Sequence, residues 1–136
     1  MNEFLIFYVN GHKYCVGLNN VQEIVILNNK ISPIVGMASF FEGMTLVRDR
    51  TVRVVNIHKY LEIKDEDKEK SFLIILRNDN DKLYGIQING IQGIGKEEDY
   101  TSQQVAFVKS NKVKKVYVKK EETNEIITEI NFDEIL

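Results

Sequence analysis

Three side chains in this chain are of the kinds that carry proton transfer, nucleophilic attack or soft-metal ligation: His12, His58 and Cys15. Nucleophilic catalysis needs a base beside the nucleophile and a third group to orient that base, and a structural metal needs several ligands at short, regular spacing. None of the three stands in such a pattern. His12 follows an Asn-Gly dipeptide and is expected as a solvated strand residue, while Cys15, between Tyr14 and Val16, is expected as a small buried core group. Gly90, Gly93 and Gly95 lack the strand-to-helix spacing of a phosphate-cradling loop and read as turn glycines. The sequence therefore predicts no catalytic residue, no metal ligand and no cofactor.

Charged residues offer more. The stretch from Lys109 to Lys120 holds six lysines interleaved with Val113, Val116, Tyr117 and Val118. A basic strand of this kind can contact phosphate, which makes a small β-barrel nucleic-acid-binding protein using residues 109–120 the alternative function. Sequence-independent nucleic-acid binding, however, joins a basic groove to several stacking aromatics. The simpler expectation is a solvated hairpin face balanced by Glu121, Glu122, Glu125 and Glu129. Arg48 lies in a turn between two strands, where its fork of donors can meet a partner's carboxylate or hold the neighbouring Asp49. Asn20-Val21-Gln22-Glu23 has the form of a capping box, which predicts a brief helix with Glu23 at its third position.

The elements that must position these groups are strands. Glu3 to Val9 is a β-rich run, Asn10-Gly11 suits a type I′ turn, and His12 to Val16 returns as a second strand. Gly43 to Ile57 reads as two apolar-rich strands joined by the charged link Arg48-Asp49-Arg50. Within its second strand Val52 and Val54 face one side, Val55 and Ile57 the other, so both faces should be buried and Arg53 needs an outlet. Residues 36–41 lack alternation and are expected as loop. Asn56 is placed to cap a short turn carrying His58, Tyr60 and Leu61. Lys64 to Lys70 is an unbroken charged run, expected as a solvated connection.

The second half repeats the first. Phe72 to Ile75, a polar turn at Asn78 to Asp81, and Tyr84 to Ile94 can be laid on Phe4 to Phe7, Asn10-Gly11 and Tyr14 to Ile24. Ile127 to Leu136 can likewise be laid on Val52 to Leu61. Each unit is too small to be very stable alone, so the two are expected to pack together. That organisation is one domain over residues 1–136, with repeats at about 1–63 and 71–136 joined by the linker 64–70.

With 136 residues and 43% hydrophobic content the chain can bury a core, and a formal net charge of −2 gives no bias toward nucleic acid or anionic membrane. A single cysteine forbids an internal disulfide, and no basic segment leads into an apolar signal run at Met1-Asn2-Glu3. The longest apolar run, around Phe72 to Leu76, is far short of the roughly 20 residues that span a bilayer. The expectation is a cytoplasmic protein with no direct membrane insertion.

Several of these pieces, in this order, resemble the CheW family of chemotaxis coupling proteins. Gly43, Val47, Arg48, Val52, Val54, Val55, Ile57 and Leu61 fall on the family's hairpin pattern without a gap. Val21-Gln22-Glu23-Ile24 and Ile31-Ser32-Pro33-Ile34 fit upstream of it, and the resemblance runs from Phe4 to Leu136. It implies an all-β fold of two packed, five-stranded SH3-like barrel subdomains with short helical turns, whose strands need not divide by sequence half. It further implies a non-enzymatic adaptor that joins the cytoplasmic tips of chemoreceptors to the regulatory domain of the histidine kinase CheA, in chemotaxis or a related pathway. By residue match it assigns partner binding to Val21, Glu23, Gly43 and Arg48, with Glu23 and Arg48 close together. The chain departs from the family at Leu46, Asp49, Arg53 and Asn56, where asparagine, glycine, proline and aspartate are usual.

Overall fold

Asn10 and Gly11 both take left-handed backbone (φ 51° and 82°), closing the first hairpin between β1 (Glu3–Val9) and β2 (His12–Gly17) as the dipeptide predicts. This computed structural model describes residues 3–66, 69–103 and 111–136. A single 3-10 turn, Leu18–Asn20, then leads into β3 (Val21–Ile26). The brief helix expected over Asn20 to Glu23 is therefore corrected. Its β-branched continuation Ile24-Val25-Ile26 takes a ladder on a distant strand instead, and Glu23 is a strand residue with no capping role.

Residues 27–40 hold no strand beyond the isolated bridge at Ser32 and lead to the central hairpin of β4 (Phe41–Val47) and β5 (Arg50–Val55); the loop expected over 36–41 ends one residue early, because Phe41 pairs with Val55. Its link is shorter than expected: Arg50 pairs with Val47, leaving only Arg48 (φ 48°) and Asp49 (φ 65°) as the left-handed turn residues. Asn56 caps the one-turn helix α1 (Ile57–Tyr60), its side-chain oxygen accepting from the Lys59 backbone N–H at 3.1 Å. The second half supplies β6 (Phe72–Arg77), β7 (Leu83–Ile88) and β8 (Gly90–Lys96). A 3-10 turn at Glu97–Asp99 precedes β9 (Tyr100–Gln103), β10 (Val113–Lys119) and β11 (Glu122–Ile130). Gly90, Gly93 and Gly95 thus lie within a strand, not in turns. Gly93 (φ 147°) stands opposite Ile6 where the β1–β8 register slips, and a Cβ on Gly95 would come within 2.7 Å of the Phe4 ring.

Strand order shows how the repeats combine. One sheet runs β8-β1-β2-β11-β10-β9 and the other β3-β6-β7-β5-β4. Each sheet joins a hairpin from one half of the chain to the strands of the other: β1 and β2 lie with β8, β9, β10 and β11, and β6 and β7 lie with β3, β4 and β5, β8 laddering on β1 and β3 on β6. The parallel pairs correspond as well, since Ile127 faces Lys13 and Thr128 faces Tyr14 just as Val52 faces Leu83 and Arg53 faces Tyr84. Two barrel-like sheets related by the repeat are the SH3-like architecture expected. The first sheet counts six strands and not five because β9 pairs with β10. At the equivalent place in the second sheet only the isolated bridge Ser32–Met44 forms.

Burial follows the alternation. Phe4 and Ile6 point into the first sheet's own core with Cys15, Tyr117 and Ile127, while Leu5, Phe7 and Val9 point to a core shared with Val55, Ile57, Ile74, Leu76, Ile86 and Ile88. In the second sheet Leu73 and Ile75 turn inward with Val52, Val54 and Leu83, and Ile74 and Leu76 turn to the shared core. Arg53 finds its outlet over the Tyr84 ring, 5.6 Å from its centroid.

Candidate functional site

The second sheet does not close on itself, because its edge strands β3 and β4 share no ladder. Side chains bridge that seam. The Asn29 amide donates to the Leu46 carbonyl oxygen at 2.7 Å, and the Thr45 hydroxyl to that of Lys30 at 3.0 Å. Beyond them, at the turn, the Arg48 guanidinium donates to the Glu23 carboxylate. The type I′ turn puts this arginine at the tip of the hairpin, and a slip in the β3–β6 register between Val21 and Glu23 sets the glutamate beside it. The closeness of Glu23 and Arg48 that the resemblance implies is observed. Arg48 turns to Glu23 and not to its neighbour Asp49.

Arg48 is 67% exposed and Glu23 29%. Such a pair is worth at most about 1 kcal/mol to the fold, so its donors and acceptors remain usable by a partner. Around it lie exposed Ile24, Ile26 and Leu46, lining with Val25, Leu27 and Val47 a groove of about 450 Å³ that ends at Arg48. These apolar neighbours went unread in the sequence. Leu46, in place of the family's asparagine, was the available signal.

Val21 and Gly43 sit differently. Val21 is half-buried at the start of β3, packed against the shared core. Gly43 is buried with φ 136°, and a Cβ there would lie 2.1 Å from the Ser32 carbonyl oxygen. Its place is to let the Ser32 bridge approach β4, and through that bridge to hold residues 29–32 under the seam.

The groups considered for chemistry are accounted for locally. Cys15 is fully buried, and burial pushes its thiol well above the ordinary range. His12 is exposed beside His58, with ring centroids 5.4 Å apart. His58 is buried between the Tyr14 hydroxyl at 2.8 Å from Nε2 and the Asn10 amide at 3.2 Å from Nδ1, and burial lowers its pKa. Burial also raises the Tyr14 hydroxyl to about 12. Among the described residues no group of three His, Cys, Asp or Glu is placed to hold a metal ion.

Two charged runs behave otherwise than expected. Within Lys64 to Lys70, of which residues 67 and 68 lie outside the described residues, Asp65 and Lys70 turn inward. Asp65 accepts from Asn10 Nδ2 at 2.8 Å, Asn56 Nδ2 at 2.9 Å and Lys70 Nζ at 2.9 Å. Burial alone would raise its pKa, but these hydrogen bonds outweigh burial and hold the carboxyl below the usual range. The second correction concerns Glu129, which is buried and not part of a solvated face; burial pushes its carboxyl up. In the basic stretch, whose residues 109 and 110 are outside the described ones, Tyr117 is buried and stacked on Phe4 at 4.7 Å, leaving it no face for a base.

The two-sheet β fold thus leaves the Glu23–Arg48 pair exposed at the seam, while Cys15 and His58 are buried in local contacts. A CheW-like domain model matches residues 3–131, and the chain belongs to that family. Its fold resembles the crystal structure of the scaffolding protein TtCheW from Thermoanaerobacter tengcongensis. That likeness has a TM-score of 0.78 at 17% identity, covering 96% of this chain and 88% of that one. No curated protein matches in sequence at a significant level. Membership supports a chemotaxis adaptor or scaffold role. No helix among the described residues is long and apolar enough to cross a membrane.

Proposed function

We propose that the chain is a non-enzymatic cytoplasmic adaptor that couples the cytoplasmic tips of chemoreceptors to the regulatory domain of the histidine kinase CheA, in chemotaxis or a related pathway. The observation that carries this reading is the Glu23–Arg48 pair on a CheW-like fold, exposed at an unclosed seam and flanked by Ile24, Ile26 and Leu46. An arginine beside apolar side chains is the composition of an interface hot spot. Glu23 and Arg48 are the direct contacts, Val21 sets the start of the strand that carries Glu23, and Gly43 holds the segment beneath the seam. Holding two partners on one chain raises the effective concentration of each at the other without any chemistry on the adaptor itself.

The test is Arg48→Ala. It should leave the melting temperature within about 3 °C of the native protein, the equivalent of an exposed pair worth at most about 1 kcal/mol. In pull-downs from the native cell it should nonetheless lose receptor or kinase, and the reversal Glu23→Arg with Arg48→Glu should recover part of what each single reversal loses. Unchanged capture of both partners by Arg48→Ala would overturn the assignment of this site.

A further inference from the structure

The repeat allows one corner of the molecule to be compared with its own counterpart. Where β11 runs parallel to β2, the Lys13 ammonium pairs with the Glu125 carboxylate, so the charge at that corner is closed internally. The equivalent corner, where β5 runs parallel to β7, carries Arg50 where the first has Glu125, Arg53 where it has Thr128, and Lys82 where it has His12. Arg50, Arg53 and Lys82 line one polar pocket of about 330 Å³ with Asp49, Thr51, Asp81 and Leu83. None of the three forms an ion pair among the described residues. Asp81 is tied to Arg77, which leaves three cations facing the single carboxylate of Asp49.

Like charges crowded at one pocket cost free energy unless something neutralises them. Arg53 is held in place over the Tyr84 ring, so its planar fork is partly ordered before any ligand arrives. We propose that this corner is an anion-binding site for a carboxylate-bearing segment of a protein partner, docked across Arg50, Arg53 and Lys82. The nature of the ligand rests on the scaffold reading above, since a scaffold's ligands are proteins. The site shares the Arg48-Asp49 turn with the seam pair, since Asp49 lines the pocket while Arg48 holds Glu23. Arg53, standing where the family has proline, makes it a property of this chain's own sequence.

The experiment is a two-dimensional amide NMR titration of the full chain with a hexaglutamate peptide, and separately with pyrophosphate, at low and high salt. The expected result is saturable, salt-sensitive shifts at residues 49–53 and 81–84 with the peptide. Affinity should fall about fivefold for each cation removed in Arg50→Gln and Lys82→Gln, the fold-change of an exposed pair at its upper worth. Both side chains are exposed, so the fold is retained, and Lys114→Gln should leave affinity unchanged. Shifts centred on residues 112–120, saturation by pyrophosphate but not by the peptide, or unaltered affinity in the double variant would each overturn the proposal. No receptor or kinase is present in this titration, so its failure leaves the Arg48 result standing, and the converse holds.

Discussion

Asp65→Ala removes the acceptor at the centre of a network that ties the connection between the two halves to Asn10 and Asn56 of the first. Asp65 is 16% exposed and Lys70 7%, so the pair is partly shielded from water. Removing one member of a buried pair costs roughly 3–5 kcal/mol when nothing else compensates the charge that remains. The residual exposure of Asp65 puts the expectation at the lower end, about 3 kcal/mol. Two further donors, on Asn10 and Asn56, lose the same acceptor. For a chain of this size about 3 kcal/mol corresponds to a fall of about 10 °C in melting temperature. Urea denaturation should show a lower midpoint with unchanged slope. The pH dependence gives an independent check. A carboxyl whose folded pKa is depressed contributes stability that is present above its unfolded pKa of about 3.8 and is lost as pH falls toward the folded value. The gap between native and Asp65→Ala should therefore be constant at neutral pH and close on acidification below about 4. A neutral-pH loss under about 1 kcal/mol would refute the reasoning, since that is the worth of an exposed pair.

Gly43→Ala should destabilise by about 2 kcal/mol or more, combining a left-handed backbone with a methyl 2.1 Å from the Ser32 oxygen, and the same urea midpoint reads it. His58, whose folded pKa is lowered by burial, contributes stability present above its unfolded pKa of about 6.5 and lost as pH falls below it. Glu129, raised by burial, titrates in the opposite sense, so the difference between native and His58→Gln isolates the histidine. That difference should be flat above about pH 6.5 and slope as pH falls below it; a flat difference throughout would show that His58 does not carry it. Residues 1–68 and 69–136 expressed separately should each be unfolded or aggregated by circular dichroism and sedimentation, because β1 and β6 each lose an edge partner held by the other half.

Local chemistry made the hairpins readable. Asn10-Gly11 favours a left-handed turn whatever surrounds it, and Val52 and Val54 alternating with Val55 could only be a strand buried on both faces. Asn20 to Glu23 misled for the complementary reason. A capping box is a local preference worth about 1 kcal/mol, and the ladder of β3 on β6, some 50 residues away in sequence, outweighs it. Asp65 and Lys70 were hidden in an unbroken charged run because burial of two of its members depends on Asn10 and Asn56, which nothing in that run encodes. The seam pair was legible only by resemblance, since neither Glu23 nor Arg48 carries a motif of its own. Its apolar surroundings are set by which edges the second sheet leaves open.

The exchange of the β1–β2 and β6–β7 hairpins between the two sheets bears on how an adaptor of this shape transmits force. Two small barrels joined only by a connection such as residues 64–70 would swivel, and a partner moving on one would be felt only weakly by a partner on the other. Here each barrel holds a hairpin of one half laddered on both sides to strands of the other, and Leu5, Phe7, Ile74 and Ile86 fill the space between the barrels. The hinge is replaced by a strut. A partner docked at the seam as proposed above would then move the first sheet only by translation and tilt of the whole body.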